Sequence, residues 1–387
     1  MENGKLEITG YKGDETEITV PAMIGKDAVG AIGEEAFSPK IFSKTVKNRE
    51  SRAKIEKIVL PEGIEIIGKC AFAGCSALQS AELPTTLISI GANAFKGCAS
   101  LTRVLLPDNL KTLGDCAFEG CSSLESVNIP KKVASVSANM FKDCGKLPLT
   151  DDFLIIDRRL FGYRGHSDSI EIPEGIVEIA DWAFGADAFM PAPDPMLKEI
   201  RLPESLRRIG MNAFGGQEML ESIELPDGIT DICDNAFAYC RALQSIRLPE
   251  KLSKLQPYTF QRCASLRKAE LPAGLKNIGE SAFCFCKELK EVNIPSGVTA
   301  IGDGAFNSTG LESLFIPDTV KTIGDGAVMN MLSLKDLWLP DSIRKIQYWF
   351  LGRVNTDEVR IHIIPDSKWK DDLAYKNLVF DYPKSEN

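Results

Sequence analysis

Residues 78–100 read LQSAELPTTLISIGANAFKGCAS, and the next 23 residues, LTRVLLPDNLKTLGDCAFEGCSS, repeat their apolar positions in register. The shared pattern is close to L-x-x-V-x-L-P-x-x-L-x-x-I-G-x-x-A-F-x-x-C-x-S. A fixed period of this length predicts a solenoid of stacked coils, with one copy of the repeat in each coil. The proline of the pattern marks the copies at Pro61, Pro84, Pro107, Pro130, Pro203, Pro226, Pro249, Pro272, Pro295, Pro317 and Pro340.

Each part of the repeat predicts a local conformation. Before the proline, apolar and polar residues alternate, which is typical of a short strand with one face inward, and the proline ends that strand. Gly114, like Gly68 and Gly91, follows a second apolar pair, and we expect glycine to permit a tight bend there. The Ala-Phe pair then predicts a short helical or 3-10 turn. The predicted fold class is a repeat solenoid with a parallel β-sheet along one face and short helical turns opposite.

Three stretches depart from the period and predict insertions. The first, near residues 38–54, is basic and polar, as in a loop or a short surface helix. The second, near residues 148–168, predicts one inserted β-hairpin in which residues 153–156 pair with residues 160–163. The third, near residues 185–196, is rich in proline and predicts a surface loop.

Both ends of the array are expected to carry caps. Residues 1–20 alternate like strands that cover the first coil, and residues 21–350 hold the repeats. Residues 351–387 predict a C-terminal cap with a short helix from Asp366 and a strand near Val379. Because a repeat array grows by adding coils, we expect a single domain over residues 1–387.

The charge of the chain narrows the class of partner. The net charge is −9 and the pI is about 5.1. Nucleic acid and anionic membranes both require a basic face, so a cationic or mixed-charge protein is the compatible partner. The N-terminal sequence has no signal-peptide pattern and the chain has no apolar run of about 18 residues, so we expect no membrane insertion and a cytoplasmic location. Removal of a leader would instead place the protein at the cell surface or outside the cell.

Seven of the eleven cysteines share one repeat position, three residues after the phenylalanine: Cys75, Cys98, Cys121, Cys144, Cys240, Cys263 and Cys286. Side chains stacked in register point the same way, whereas a metal site needs converging thiolates and a disulfide needs closer Cβ atoms. The pattern therefore predicts a buried column of free thiols, with no metal and no cofactor.

The sequence contains no recognisable catalytic set. Its two histidines are His166 and His362, and neither lies in a nucleophile motif. The repeated glycines are turn residues and do not form a phosphate-binding loop. We therefore expect no catalytic residues and no enzymatic activity.

The residue before the last apolar position of each strand points outward and differs from coil to coil. From Glu171 to Glu270 these residues alternate in charge, so neighbouring strands are expected to place opposite charges side by side. Such a ladder either only neutralises the sheet or binds a partner, and both interpretations stay open. The predicted partner-binding residues are Arg201, Glu224, Arg247, Glu270, Asn293, Phe315 and Trp338.

Two further features bear on where a partner would bind. Phe315 and Trp338 place large rings at outward positions, as interfaces do, and the alternative is packing beneath the C-terminal cap with Trp349 or Phe350. The competing hypothesis is a site at the tip of the inserted hairpin. The tip residues are Asp157, Arg158 and Arg159.

The unit LPDNLKTLGDCAFEGCSSLESVNIP, residues 106–130, resembles the BspA-like class of leucine-rich repeats in its LP, IG, AF and GC landmarks. The resemblance extends from about residue 20 to about residue 345, and an inserted hairpin is familiar in that class. It implies a leucine-rich-repeat superhelix used in binding, often on bacterial surfaces and sometimes in adhesion to host or matrix proteins.

These observations favour a non-enzymatic, monomeric scaffold that presents a rigid repeat surface to a protein partner. A bacterial cell-surface adhesin, or a host-, matrix- or glycan-binding module, is the alternative that stays open. A hydrolase built on the insertion lacks a catalytic set.

Overall fold

A computed structural model describes residues 4–39, 49–185, 196–345, 359–371, 373, 377–379 and 381. The chain forms two compact units, residues 1–164 and residues 165–387, and each is built of stacked coils. The predicted fold class, a repeat solenoid with parallel strands, is confirmed. The single domain over residues 1–387 stays a prediction.

Short strands dominate the first unit, and a single-turn helix, α1 (Arg49–Arg52), lies in the first predicted insertion. A 3-10 helix, Ala138–Phe141, occupies one of the turns opposite the strands. The strands are β1 (Leu6–Ile8), β2 (Glu17–Thr19), β3 (Met23–Ile24), β4 (Asp27–Ile32), β5 (Lys57–Val59), β6 (Ile66–Ile67), β7 (Ser80–Glu82), β8 (Ser89–Ile90), β9 (Arg103–Val104), β10 (Thr112–Leu113), β11 (Ser126–Val127), β12 (Phe153–Ile156) and β13 (Arg159–Tyr163).

The second unit has the same construction. Its strands are β14 (Ser169–Glu171), β15 (Glu178–Ile179), β16 (Glu199–Arg201), β17 (Arg208–Ile209), β18 (Ser222–Ile223), β19 (Asp231–Ile232), β20 (Ser245–Arg247), β21 (Lys254–Leu255), β22 (Lys268–Glu270), β23 (Asn277–Ile278), β24 (Glu291–Val292), β25 (Ala300–Ile301), β26 (Ser313–Phe315), β27 (Thr322–Ile323), β28 (Asp336–Trp338), β29 (Arg360–His362) and β30 (Asn377–Val379).

Each regular coil contributes two strands, and each set of strands forms its own parallel ladder. The strands before the prolines pair one coil apart, as in Lys57↔Ser80. The shorter strands before the repeat glycines pair in the same way, as in Ile67↔Ile90. The sequence predicted the first ladder. The second is an additional finding, because the second apolar pair forms a strand as well as turning the chain.

One phenylalanine per coil fills the centre of each unit. Adjacent rings stack with their centroids 5.1–5.9 Å apart in the first unit and 5.3–5.6 Å apart in the second. This separation matches the spacing of neighbouring strands, so an identical ring in each coil gains both burial and stacking. The rings are Phe37, Phe72, Phe95, Phe118 and Phe141, then Phe184, Phe214, Phe237, Phe260, Phe283 and Phe306.

The reason predicted for the repeat glycines was wrong. Gly68, Gly91 and Gly114 do not have a positive φ, so no left-handed bend requires them. Instead, the backbone of the preceding coil occupies the space of a side chain. A Cβ on Gly114 would lie 2.2 Å from the amide nitrogen of Ala92. At these three glycines the coils approach too closely for a Cβ, whereas Ser137, Ala180, Cys233 and Gln256 take the same position in other coils.

The predicted hairpin is present. Strands β12 and β13 pair antiparallel from Phe153↔Tyr163 to Ile156↔Arg159, so the return strand begins one residue earlier than expected. The two tip residues have positive φ values of 48° and 67°, as in a type I′ turn, whose twist matches that of the two strands.

The ends of the array agree in part with the predicted caps. Strands β1 and β2 extend the two ladders at the N-terminal end, and β30 is the strand expected near Val379. Residues 368–371 form turns where a helix from Asp366 was predicted. Several predictions lie outside the described residues: those for residues 40–48, for residues 186–195, and for Tyr348, Trp349 and Phe350.

Candidate interaction surface

The strand face of the second unit is the surface formed by the outward side chains of β14, β16, β18, β20, β22, β24, β26 and β28. In β14, β16, β20, β22 and β26 the middle residue is directed into the coil, as Ile200 and Ile246 are, and its neighbours are exposed. The pleat of the strand enforces this alternation. The predicted residues Arg201, Glu224, Arg247, Glu270 and Asn293 are all exposed on this face.

A groove with a volume of about 950 Å³ crosses the strand face. It spans the point where the ladder is interrupted, because β18 and β20 belong to separate sheets. The groove brings together three of the predicted residues. Its lining includes Glu171, Glu199, Arg201, Glu204, Ser222, Glu224, Asp227, Ser245 and Arg247.

Two pairs of the predicted alternation lie opposite each other in the register, Glu171 with Arg201 and Arg247 with Glu270. The closest ion pairs of these side chains, however, are with other residues. Arg247 Nη2 lies 3.0 Å from Asp227 Oδ1, and Lys268 Nζ lies 2.9 Å from Glu270 Oε1. The hydrogen bond from Lys268 lowers the pKa of Glu270 below its ordinary value. Arg247 and Glu270 therefore form their ion pairs with Asp227 and Lys268, which do not occupy the outward position considered in the sequence analysis.

Sequence reasoning missed the acidic residue that follows the proline. Asp227, directly after Pro226, holds Arg247 and lines the groove, and Glu204 holds the same place after Pro203. The signal was present in the sequence, because Glu62, Asp108, Glu174 and Glu250 also follow a repeat proline.

Phe315 and Trp338 continue the strand face as a row of rings. Their centroids lie 6.4 Å apart with an interplanar angle of 47°, and Trp338 stacks on His362 at 4.2 Å. Phe315 is 40% exposed, whereas Trp338 is half-buried. Part of the row is therefore accessible, and its role in binding stays a prediction.

His362 lies buried at the end of this row between two carboxylates. Its Nε2 is 2.8 Å from Asp336 Oδ1 and its Nδ1 is 2.6 Å from Asp381 Oδ1. Arg360 donates two hydrogen bonds to Asp336, from Nε and from Nη2, each at 2.7 Å. These bonds lower the pKa of Asp336, with the Arg360 hydrogen bond as the main cause. The cluster ties β28 to β29 and to the C-terminal segment.

The hairpin tip, the competing site, is tied to the coil before it. The Asp157 carboxylate accepts a hydrogen bond from the Ile129 N–H at 2.6 Å. Arg159 Nη2 donates to the Val133 carbonyl at 3.1 Å. The side chains of Asp157 and Arg158 are exposed. The tip is fixed in position, and binding there stays a prediction.

The repeat cysteines lie inside the coils. Each column thiol donates to the carbonyl of the phenylalanine one coil earlier, as in Cys98 Sγ to Phe72 O at 3.3 Å and Cys263 Sγ to Phe237 O at 3.1 Å. Burial raises the pKa of Cys75 to about 12. The sulfur atoms thus add one weak bond between coils and are poor nucleophiles at neutral pH.

Metal binding and membrane spanning are two further properties on which the described residues bear. No group of three or more His, Cys, Asp and Glu side chains among them is arranged to hold a metal ion. In the same part of the chain, no helix has the length and apolar character needed to cross a lipid bilayer.

Stacked parallel coils with a recurring Leu, Ile and Phe core define a leucine-rich-repeat solenoid. The family model for the BspA type leucine rich repeat region matches residues 31–154, 154–256, 185–309 and 257–367. The chain therefore belongs to the family of BspA-type leucine-rich-repeat proteins, as its repeat unit predicted. Among curated proteins, none matches this sequence.

Several solved bacterial structures are similar to this chain. A leucine-rich repeat protein from Bacteroides ovatus is 26% identical, with 94% of this chain and 96% of that chain covered and a TM-score of 0.40. One from Eubacterium ventriosum is 18% identical, with 87% and 93% covered and a TM-score of 0.46. A leucine rich cell surface protein from Faecalibacterium prausnitzii is 22% identical, with 99% and 92% covered and a TM-score of 0.37.

Proposed function

We propose that the chain is a non-enzymatic scaffold that binds a protein partner along the strand face of its second unit. The observation that carries the proposal is the groove between β14 and β20. Its lining includes Arg201, Glu224 and Arg247, at the outward position where the repeats differ, whereas the Phe, Ile and Cys positions of the core recur. A side chain that packing does not prescribe is available for recognition.

The charge of the groove indicates the chemistry of the partner. Five acidic side chains and two arginines line it, so it has a surplus of negative charge. A partner segment that carries lysine or arginine complements this surface, and its charge steers the encounter. We expect a monomeric scaffold and a cationic or mixed-charge protein partner.

The backbone supports binding without rearrangement. Parallel ladders fix the strands on both sides of the groove, with pairs such as Glu199↔Ser222 and Ser245↔Lys268. A preformed surface loses little conformational entropy when a partner binds. Specificity then comes from the outward side chains and from the insertions.

A quantitative pull-down tests this proposal. The test variant combines Glu171→Ser, Glu224→Ser and Asp227→Ser, all on the groove, and so removes three of its negative charges. The control combines Glu82→Ser, Asp108→Ser and Glu125→Ser, which are exposed in the first unit and change the net charge equally. We expect a partner to be lost with the groove variant and kept with the control. Equal recovery of every partner by both folded variants would contradict the proposal.

A second candidate function is a surface adhesin or glycan-binding module. The observation that favours it is the partly exposed row of Phe315 and Trp338 beside the polar Asp336 and Arg360. Aromatic faces next to hydrogen-bonding groups suit sugar rings. A cell-surface location belongs to this candidate, and a cytoplasmic location belongs to the first.

The aromatic row can be tested separately from the groove. Phe315→Ser removes the more exposed ring, and Phe315→Ser with Trp338→Ser removes both. Under the second candidate, retention on glycan and matrix-protein arrays falls for both variants and not for the groove variant. Unchanged retention by folded Phe315→Ser and by the double variant would rule it out.

A further inference from the structure

One column of repeat positions on the turns has a left-handed backbone. It is the residue two places after the phenylalanine, or after Val328 where valine replaces it, and its φ lies between 57° and 82° in ten coils. Most of these residues are Gly, Asp, Ser or Asn, which tolerate that conformation best. The column consists of Gly74, Gly97, Gly120, Asp143, Gly216, Tyr239, Arg262, Phe285, Ser308 and Asn330.

Three adjacent coils break this preference. Tyr239, Arg262 and Phe285 have φ values of 62°, 62° and 61°, which bulky L-residues rarely adopt. The turn itself does not need these side chains. Tyr239 N–H donates to the carbonyl of the next coil at 2.7 Å, and the N–H of Gly97 makes the equivalent bond at 2.7 Å. Strain that the fold does not require points to a function for the side chains.

The three side chains form a stack of ring, cation and ring. The guanidinium carbon of Arg262 lies 5.6 Å from the centroid of Tyr239 and 4.7 Å from that of Phe285. Arg262 is exposed, and both rings are half-buried. The guanidinium lies over both rings and the Arg262 side chain is exposed, so its N–H donors are accessible to a ligand.

The stack lacks a carboxylate. Within the described part of the second unit, no acidic side chain lies within 4.0 Å of a charged nitrogen of Arg262 or of Lys287 on the next coil. Arg241, on the coil before, is neutralised by Glu218 at 3.2 Å. The chain has 54 acidic and 45 basic side chains, so an arginine without an acidic neighbour is notable in this sequence.

We propose that Tyr239, Arg262 and Phe285 form a second docking site, which binds an acidic segment of a protein partner. The edge of the Arg262 guanidinium receives a carboxylate through two parallel N–H···O bonds. The flanking rings exclude water from that pair and contact the apolar part of the bound segment. Lys287, exposed two residues after Phe285, adds a second positive charge to the turns of these coils. The site uses the turns and not the strand face, so it does not depend on the groove.

The probe for this site is a fluorescein-labelled hexaglutamate peptide, titrated with the full chain and followed by fluorescence anisotropy. Arg262→Gln is expected to weaken binding at least about fivefold, because the bidentate charge-assisted pair is lost. Arg262→Lys keeps the positive charge but lacks the planar guanidinium that forms two parallel hydrogen bonds. Its affinity for the peptide should therefore lie between those of wild type and Arg262→Gln. Arg103→Gln makes the same charge change at an exposed position of the first unit and should leave the affinity unchanged.

The double variant Tyr239→Gly with Phe285→Gly tests the rings while Arg262 stays in place. Glycine is the residue that other coils hold at this position, so we expect the fold to persist and the peptide affinity to fall. The proposal is overturned if the wild-type chain does not bind the peptide, if Arg262→Gln binds as well as wild type, or if Arg103→Gln loses as much affinity as Arg262→Gln. It is also overturned if inorganic phosphate competes as well as unlabelled hexaglutamate at equal ionic strength, since that identifies a site for free anions.

Discussion

Gly91 packs against Gly68 so closely that a Cβ on Gly91 would stand 2.8 Å from the carbonyl carbon of Gly68. The same Cβ would lie 2.6 Å from the amide nitrogen of Lys69. Both contacts are with backbone atoms, which cannot move aside as a flexible side chain can. The spacing of the coils is therefore set at the glycine as well as at the phenylalanine.

Gly91→Ala is predicted to destabilise the first unit by about 1–3 kcal/mol, the usual cost of overpacking. The measurement is the free energy of unfolding in urea, with Gly145→Ala as the control. A Cβ on Gly145 would meet nothing within 4 Å, so that variant should change stability by less than about 0.5 kcal/mol. Equal stabilities of the two variants would show that the coils can separate to accommodate a methyl group.

The eleven thiols are predicted to react in two groups. Cys70, Cys116 and Cys233 are half-buried, and the other eight thiols are buried. Burial raises the pKa of Cys144 to about 11, so little thiolate exists at pH 8. Labelling of the native protein with iodoacetamide at pH 8, read by mass spectrometry, should modify at most the half-buried thiols. All eleven should react in guanidinium chloride, and rapid native labelling of Cys98 would contradict the buried column.

Much of the fold could be predicted because the same apolar pattern recurs in almost every coil. The repeat pattern predicted that Phe95 is buried in the core. Because neighbouring coils have the same length, it also predicted the register in which their strands pair. The hairpin of residues 153–163 was predictable because the step from Pro130 to Pro173 is 43 residues where a regular coil has 23, and the surplus contains two apolar runs. The second ladder was not, because strands of two residues are too short to show a period.

The candidate sites were less predictable, since they depend on which coils become neighbours across an irregular stretch. The stack of Trp338 on His362 joins the last repeats to residues 351–387, which the sequence indicated as a cap. The pairing of Arg247 with Asp227 links two different repeat positions, so reading one position at a time misses it. The strand-face residues and the hairpin tip both remain predicted sites.

Stability at the C-terminal end is predicted to depend on Asp336 in acid. Two hydrogen bonds from Arg360 favour the ionised carboxylate and lower its pKa below the ordinary value of 3.8. A lowered pKa in the folded state means that this stabilisation is complete above about pH 4 and is lost as the pH falls through the folded value. Asp336→Asn should remove this part of the acid dependence.

The measurement for Asp336 is unfolding at pH values from 2 to 6, followed by tryptophan fluorescence because Trp338 lies in the same strand. Asp325→Asn is the control, since Asp325 is exposed and has no ion pair with another described residue. Identical pH profiles for wild type and Asp336→Asn would contradict the prediction.

Arg52 is predicted to hold the N-terminal end of the first unit together. Its side chain is only 2% exposed, although the basic stretch around it suggested a surface segment. Nε and Nη2 donate to the Tyr11 carbonyl at 3.1 and 2.8 Å, and Nη1 donates to the Ser38 carbonyl at 3.1 Å. The guanidinium thus joins α1 to the loop after β1 and to the turn after Phe37.

Arg52→Met is expected to lower the free energy of unfolding by about 3 kcal/mol, because buried carbonyls lose charge-assisted hydrogen bonds. Arg103→Met, at an exposed position of β9, is the matched control and should have little effect. Amide hydrogen exchange would show which part of the chain loses stability in Arg52→Met. Protection should fall in residues 4–39 and stay constant in residues 196–345, because only the first unit contains the contacts of Arg52. A loss spread evenly over both units would show that Arg52 does not act through this local set of bonds.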